Sequence, residues 1–274
     1  MIASLIEPFQ FDFFVRSLLA ATIVGAVCSV IGVYVVVRSM AFLGDALAHA
    51  VLPGVAIAYL FGGNLTIGAL AASCLVALGV AELSENAEIR EDTAIGILFT
   101  AALALGVAMI SSNRSYAVDL AHILFGNVLG VNTADIRFIA VAATVVLLTV
   151  VLLYRRFLAI TFDPIMARTM GWNVRLLRSV LLVMIAATIT ISINIVGASL
   201  VTAMLITPAA TALMFTKKLA QTMLVSALIG MLSGFIGLMA SYYLNISSGA
   251  SIVLTATGFF LIGTLWRKVF PRRN

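Results

Sequence analysis

Residues 44–54 read GDALAHAVLPG, a run of small and apolar residues that nevertheless carries Asp45 and His49. On a helix the four-residue spacing puts both side chains on one face, about one turn apart. Burying ionisable groups in an apolar helix costs several kcal/mol unless they are paired or face a polar cavity. Pro53 has no N–H, so the carbonyl of His49 loses its usual helical partner. Gly44, Ala46, Ala48, Ala50 and Gly54 surround the pair with small side chains that let another backbone come close. Carboxylate plus imidazole suits divalent ions such as Mn, Fe and Zn, and suits sugars or amino acids poorly. Two ligands from one helix are too few to hold an ion. Two copies of the chain packed about a two-fold axis would supply two aspartates and two histidines to one site. The same spacing also fits an Asp–His hydrogen bond that only neutralises both groups, or a proton relay, and the residues alone leave these readings open.

A second constellation is TFDPIMARTMGWNVRLL, residues 161–177. Asp163 followed by Pro164 reads as an N-cap with proline in the first helical position, and Gly171 as the stop, which predicts a helix of roughly two turns. Such a helix between membrane spans offers a partner something to grip. It fits equally an interfacial helix whose Arg168 and Arg175 contact lipid phosphates. Elsewhere, Glu82, Glu85, Glu88, Glu91 and Asp92 read as a solvated acidic face that could also attract a departing cation. Asp119 and His122 fit either a transient site for an arriving ion or an amphipathic outer helix. Asn194 and Pro208 mark polar or broken helix, from a pathway or from a packed kink. Cys28 and Cys74, far from any CxxC spacing, read as small packing residues. Met166, Met170 and Met204 are too scattered for a thioether copper path and read as core filling.

The elements that must position these residues follow from composition. Of 274 residues 63% are hydrophobic and 10% charged, and the mean hydropathy is +1.18, which describes a polytopic membrane protein and not a water-soluble domain. Apolar segments long enough to cross a hydrocarbon core as helices lie at 13–37, 43–61, 65–82, 92–111, 133–154, 176–195, 197–216, 221–244 and 249–267. The second and seventh are short and interrupted, so eight spans plus a re-entrant piece is the other count. Segments such as AALALGVAMI are apolar all round, which excludes the alternating strands of a membrane barrel. The start, MIASLIEPFQFDF, has no basic lead into a short apolar core and is expected to remain. Arg155, Arg156, Arg168, Arg175 and Arg178, then Lys217 and Lys218, then Arg267, Lys268, Arg272 and Arg273 mark three cytoplasmic loops or tails. Nine spans then put 38–43 and 83–91 inside, and the N-terminus and 112–132 outside. Membrane orientation explains the net charge of +5; nucleic-acid binding does not enter.

GDALAHAVLPGVAIAYL, EDTAIGILFTAALALGVAMIS, DLAHILFGNVLGV, FDPIMARTMG and VGASLVTAMLITPAATAL, in this order and at these separations, resemble the permease subunit of the metal-ion ABC importers for zinc, manganese and iron. The resemblance extends over most of the chain. It implies an all-α bundle of eight or nine transmembrane helices, similar to the vitamin B12 and siderophore importer permeases, in a multi-pass protein of the prokaryotic cytoplasmic membrane. A single permease domain would occupy residues 1–274. The implied partners are a second copy of the chain, two copies of a cytoplasmic ATPase, an extracytoplasmic metal-binding delivery protein and the lipid bilayer. In that family the aspartate and histidine of the motif are the proposed metal ligands, which are Asp45 and His49 here. The segment near 163–174 matches the family's coupling helix, with Asp163, Pro164, Ala167, Arg168, Met170 and Gly171 as the residues that would engage the ATPase.

No G-x-x-x-x-G-K-[ST] run occurs, so the chain has no P-loop of its own, and ATP hydrolysis is expected of a partner. The expected activity is therefore transport by alternating access, not catalysis, with no permanently bound cofactor. The segment DLAHILFGNVLGV is most similar to the manganese-type members, which favours manganese as cargo, with zinc or iron as alternatives. From a different class, a proton-coupled secondary metal carrier would use Asp45 and His49 as a titrating couple; it would leave the loop helix without a purpose.

Overall fold

In lipid a backbone can satisfy its N–H and C=O groups only internally, so each apolar segment is driven into a helix. The computed structural model describes residues 7–86, 89–111 and 130–269. After a 3-10 turn at Glu7–Gln10 the helices are α1 (Asp12–Val37), α2 (Leu43–Ala50), α3 (Leu52–Leu60), α4 (Leu65–Asn86), α5 (Glu91–Ser111), α6 (Thr133–Phe162), α7 (Pro164–Thr169), α8 (Val174–Val196), α9 (Ala198–Phe215), α10 (Leu219–Leu244) and α11 (Ser248–Val269). Among the described residues there is no strand, and nine helices are long and apolar enough to span a membrane, with α2 and α3 counting as one 18-residue span, Leu43–Leu60. Both short segments are thus long and apolar enough to make full spans. α9 runs unbroken through Pro208, whose ring is buried, so no interrupted helix marks a pathway there.

The fifth span exceeds its expected end at 154. α6 has 30 residues, about 45 Å at 1.5 Å per residue, against a hydrocarbon core of roughly 30 Å. It carries Arg155 and Arg156 out of the membrane on a continuous helix. A reciprocal cap starts it: Asn132 Oδ1 accepts from the Asp135 N–H at 2.9 Å and Asp135 Oδ2 accepts from the Asn132 N–H at 3.0 Å.

α1 is the central post, packed against α6, α8, α9 and α10. Its most apolar window is 67% buried, as is that of α2–α3, against 22% in α5, α6 and α11. Lipid is as apolar as leucine, so close backbone approach and polar pairs hold such helices together. A Cβ on Gly25 would stand 2.7 Å from the Gly230 carbonyl oxygen, which fixes the α1–α10 crossing. Ser226 donates to the Ser29 carbonyl at 2.9 Å across the same crossing, and Thr190 of α8 donates to Ser73 of α4 at 2.7 Å. Cys28 is buried with its sulfur 3.5 Å from the Ser192 hydroxyl, and both Cys28 and Cys74 are free thiols.

Candidate metal site

α2 begins after a tight loop in which Ser39 adopts φ 58° and Met40 is fully buried. The helix then packs against α4, α5, α8 and α9. Leu43, Gly44, Ala46, Leu47, Ala48 and Ala50 are all buried. A Cβ on Gly44 would lie 3.2 Å from Leu205 Cδ2, so α9 sits directly on this turn. The two remaining residues are Asp45 and His49, whose side chains are 50% and 34% exposed. The helix therefore turns every other side chain into its own chain and presents only its two ionisable groups outward.

His49 Nε2 and Asp45 Oδ1 are 3.8 Å apart, beyond hydrogen-bond distance. Two ligand atoms roughly 2.1 Å from a shared ion stand about 3.0 Å apart at a right angle and about 3.4 Å at the tetrahedral angle. A small rotamer change closes that difference. Among the described residues no group of three or more His, Cys, Asp or Glu side chains is placed to hold a metal. Asp45 and His49 thus stand as two candidate ligands on a partly exposed face.

The helix stops at Val51 and resumes at Leu52, with Pro53 in the first turn of α3. Val51 keeps right-handed helical angles, φ −70° and ψ −22°, so the interruption leaves one continuous span. α5 walls this region at two levels. The Phe99 ring is 6.0 Å from the imidazole of His49 and 5.6 Å, edge-on, from Phe42. One helical stretch further on, a Cβ on Gly106 would be 2.8 Å from Leu52 Cβ and 3.2 Å from Pro53 N. α3 and α4 are closer still: a Cβ on Gly54 would meet the Gly68 carbonyl oxygen at 2.1 Å. An apolar groove of about 510 Å³ continues from Ala50 and Pro53 along α3, α4 and α5.

The loop constellation forms α7. Asp163 caps it by accepting from the Met166 N–H at 2.8 Å, and Pro164 occupies the first helical position. The helix ends at Thr169. Gly171, at φ 76°, makes the turn that leads to α8, a conformation glycine adopts without strain. The helix is thus shorter than the segment 163–174. Ala167 is fully buried and anchors it, while Ile165, Met166 and Met170 are 75%, 50% and 50% exposed. Met166 and Met170 are therefore not core filling: a helix this short has one inward position per turn, which Ala167 takes. Met204 is buried, as core filling requires.

At three of its positions the acidic segment is paired with arginine and so is not an open cation site, yet only Glu91 is well shielded and Glu82 stays half-exposed, as a solvated face requires. Glu82 pairs with Arg175, and Glu85 lies 3.7 Å from Arg168 and 4.0 Å from Arg175. Glu91 pairs with Arg38 and lies 3.0 Å from Arg178 Nε. These bonds bring the loop after α1, the end of α4, the start of α5, α7 and the start of α8 to one end of the molecule, as the placement of 38–43, 83–91 and 154–178 on one side requires. Opposite charge on loops assigned to one side was the available signal for them. Asp92 is exposed. Glu88, Asp119, His122 and the side chain of Asn194 lie outside the described residues.

Residues 10–267 match the model of the ABC 3 transport family. The chain is 42% identical over 253 residues, 92% of its length and 87% of the relative's, to the manganese transport system membrane protein MntC of Halalkalibacterium halodurans. It is 40% identical to a protein of Haemophilus influenzae named "Probable iron transport system membrane protein", over 97% of both chains. Among solved structures it superposes with a TM-score of 0.83 and 36% identity on a chain of PsaBC from Streptococcus pneumoniae in complex with Fab, covering 98% of this chain and 99% of that one.

Proposed function

The chain belongs to the ABC 3 transport family, as a multi-pass permease of the prokaryotic plasma membrane, and from that premise we propose that it carries manganese inward through a site shared between two copies. The observation that carries this reading is α2, which buries all its residues except the Asp45 and His49 that face outward from one copy. A second α2 related by a two-fold axis supplies the missing carboxylate and imidazole. Four such ligands suit Mn, Fe(II) and Zn alike. Manganese is favoured because MntC, 42% identical, is named a manganese transport protein; iron is the second reading, favoured by the name of the Haemophilus influenzae relative.

Residues 1–274 form one permease domain in this reading, and α7 with its flanks, 163–174, is the coupling helix. Two copies of a cytoplasmic ATPase grip it, and an extracytoplasmic binding protein delivers the ion. Exposed Ile165, Met166 and Met170 provide the apolar contact, exposed Arg168 a charged one, and Asp163, Pro164, Ala167 and Gly171 fix its shape. ATP binding closes the ATPases, moves both coupling helices and turns the shared site from outside to inside. The chain then does no covalent chemistry. The test is uptake of radiolabelled manganese into vesicles holding the permease, its ATPase and its delivery protein, with zinc and iron as competitors. ATP-dependent uptake that excess unlabelled manganese suppresses more than zinc or iron does supports the assignment; stronger suppression by either competitor reassigns the cargo, and uptake without ATP refutes the mechanism.

A further inference from the structure

Four arginines in and around the coupling segment's end of the molecule pair with its acidic residues, and they are not equivalent. Arg168 and Arg175 are 65% and 51% exposed where they meet Glu85 and Glu82, and pairs so open to water contribute little. Arg38, Glu91 and Arg178 are different, with side chains only 7%, 15% and 24% exposed. Glu91 turns both oxygens to Arg38, Oε2 accepting from Nε at 3.3 Å and Oε1 from Nη2, while Arg178 Nε stands 3.0 Å from Oε1 as an ion pair without hydrogen-bond geometry. Shielded charges held this way cannot separate cheaply, so the groups that carry them move together.

Each of the three belongs to a different part of the transport machinery. Arg178 lies in the first turns of α8, directly after the coupling segment. Arg38 closes α1 and opens the loop that leads into α2. Glu91 is the first residue of α5, the helix that meets His49 through Phe99 and Pro53 through Gly106. Phe99 is eight residues beyond Glu91 on an uninterrupted helix, about 12 Å along its axis. A helix transmits such a displacement as a rigid rod.

We propose that Glu91, clamped between Arg38 and Arg178, is a positioning residue for transport: it fastens the α5 wall of the Asp45–His49 site to α8, so that movement of α7 reaches the ion. The proposal rests on the transport reading above. It makes Glu91 a mechanical link, not a ligand, and Asp92 at the next position keeps an acidic group in the first turn of α5 when Glu91 is changed.

The test measures manganese transported per ATP hydrolysed in vesicles holding the whole complex, for Arg178→Gln, Glu91→Gln and Glu91→Asp. Arg178→Gln leaves Arg38 and Glu91 as a balanced pair, so it keeps the test valid even where Glu91→Gln fails to assemble. Expected is a ratio reduced about tenfold in Arg178→Gln and in any assembled Glu91→Gln, with hydrolysis within about twofold of the unmodified complex, and substantial recovery in Glu91→Asp. An unchanged ratio in Arg178→Gln overturns the proposal, as does a fall of uptake and hydrolysis in equal proportion, which is the signature of a static staple. An unmodified complex that hydrolyses ATP without moving manganese, zinc or iron refutes the transport reading itself, a result distinct from either.

Discussion

At the residue scale the proposed site depends on keeping an imidazole in place on an outward face, and Phe99 is the ring against it. A contact between rings of this kind contributes about 0.5–1.5 kcal/mol beyond area burial. Phe99→Ala is therefore expected to raise the manganese concentration for half-maximal uptake by roughly two- to tenfold, at 1.4 kcal/mol per decade, while the amount of assembled complex in the membrane stays constant. Radiotracer uptake against manganese concentration reads it directly. Asp45 and His49 were conspicuous in the sequence because charge in an apolar helix demands an explanation. Phe99 was not, since one aromatic residue among many apolar ones carries no mark of its neighbour. Glu91 was visible only as one member of an acidic run. Its pairing with Arg38 and Arg178 depends on which helix ends meet, and no local pattern states that.

At the element scale α7 is the marginal piece. Six residues are far too few for an autonomous helix in water, so the Asp163 cap and the buried Ala167 must hold it. Its exposed side chains have no such structural duty. Ile165→Glu is expected to leave the thermal stability of the detergent-solubilised permease within about 0.5 kcal/mol, as for an ordinary surface substitution, and to abolish copurification of the ATPase. Copurification at the unmodified level would show that α7 is not the grip. The cap and proline were legible because their spacing is a local rule. Span positions were legible because hydropathy reports them. The extension of α6 to Phe162 was hidden by its arginines, which hydropathy counts against a helix and the aqueous phase does not. Proline misled at 208, where burial within a packed bundle keeps α9 continuous.

At the scale of the whole molecule, the proposal is that one copy presents a face that a second completes. Two ionisable groups stand outward on α2, and no third metal-binding side chain joins them among the described residues. Composition had already made the chain a membrane protein, and the balance of arginine and lysine among its loops had assigned its sides. What composition could not tell was that the ends of α1, α4, α5, α7 and α8 gather into one charged cluster, because that is a property of packing between distant segments. In the proposed mechanism two coupling movements, one per copy, converge on one ion.

The sharing of that ion is the claim most open to direct trial. Complexes assembled from one unmodified permease and one Asp45→Ala permease, isolated through two different affinity tags, should be compared in ATP-driven manganese uptake with the doubly unmodified and doubly substituted forms. A site built from both copies predicts that the mixed complex falls to about a tenth of the unmodified rate or less, since losing even an outer-shell partner of a metal ligand costs roughly 10- to 100-fold. A mixed complex working at about half the unmodified rate, the value for two independent sites of one ligand set each, would contradict the shared site, and unimpaired uptake by the doubly substituted form would remove Asp45 from the path of the ion altogether.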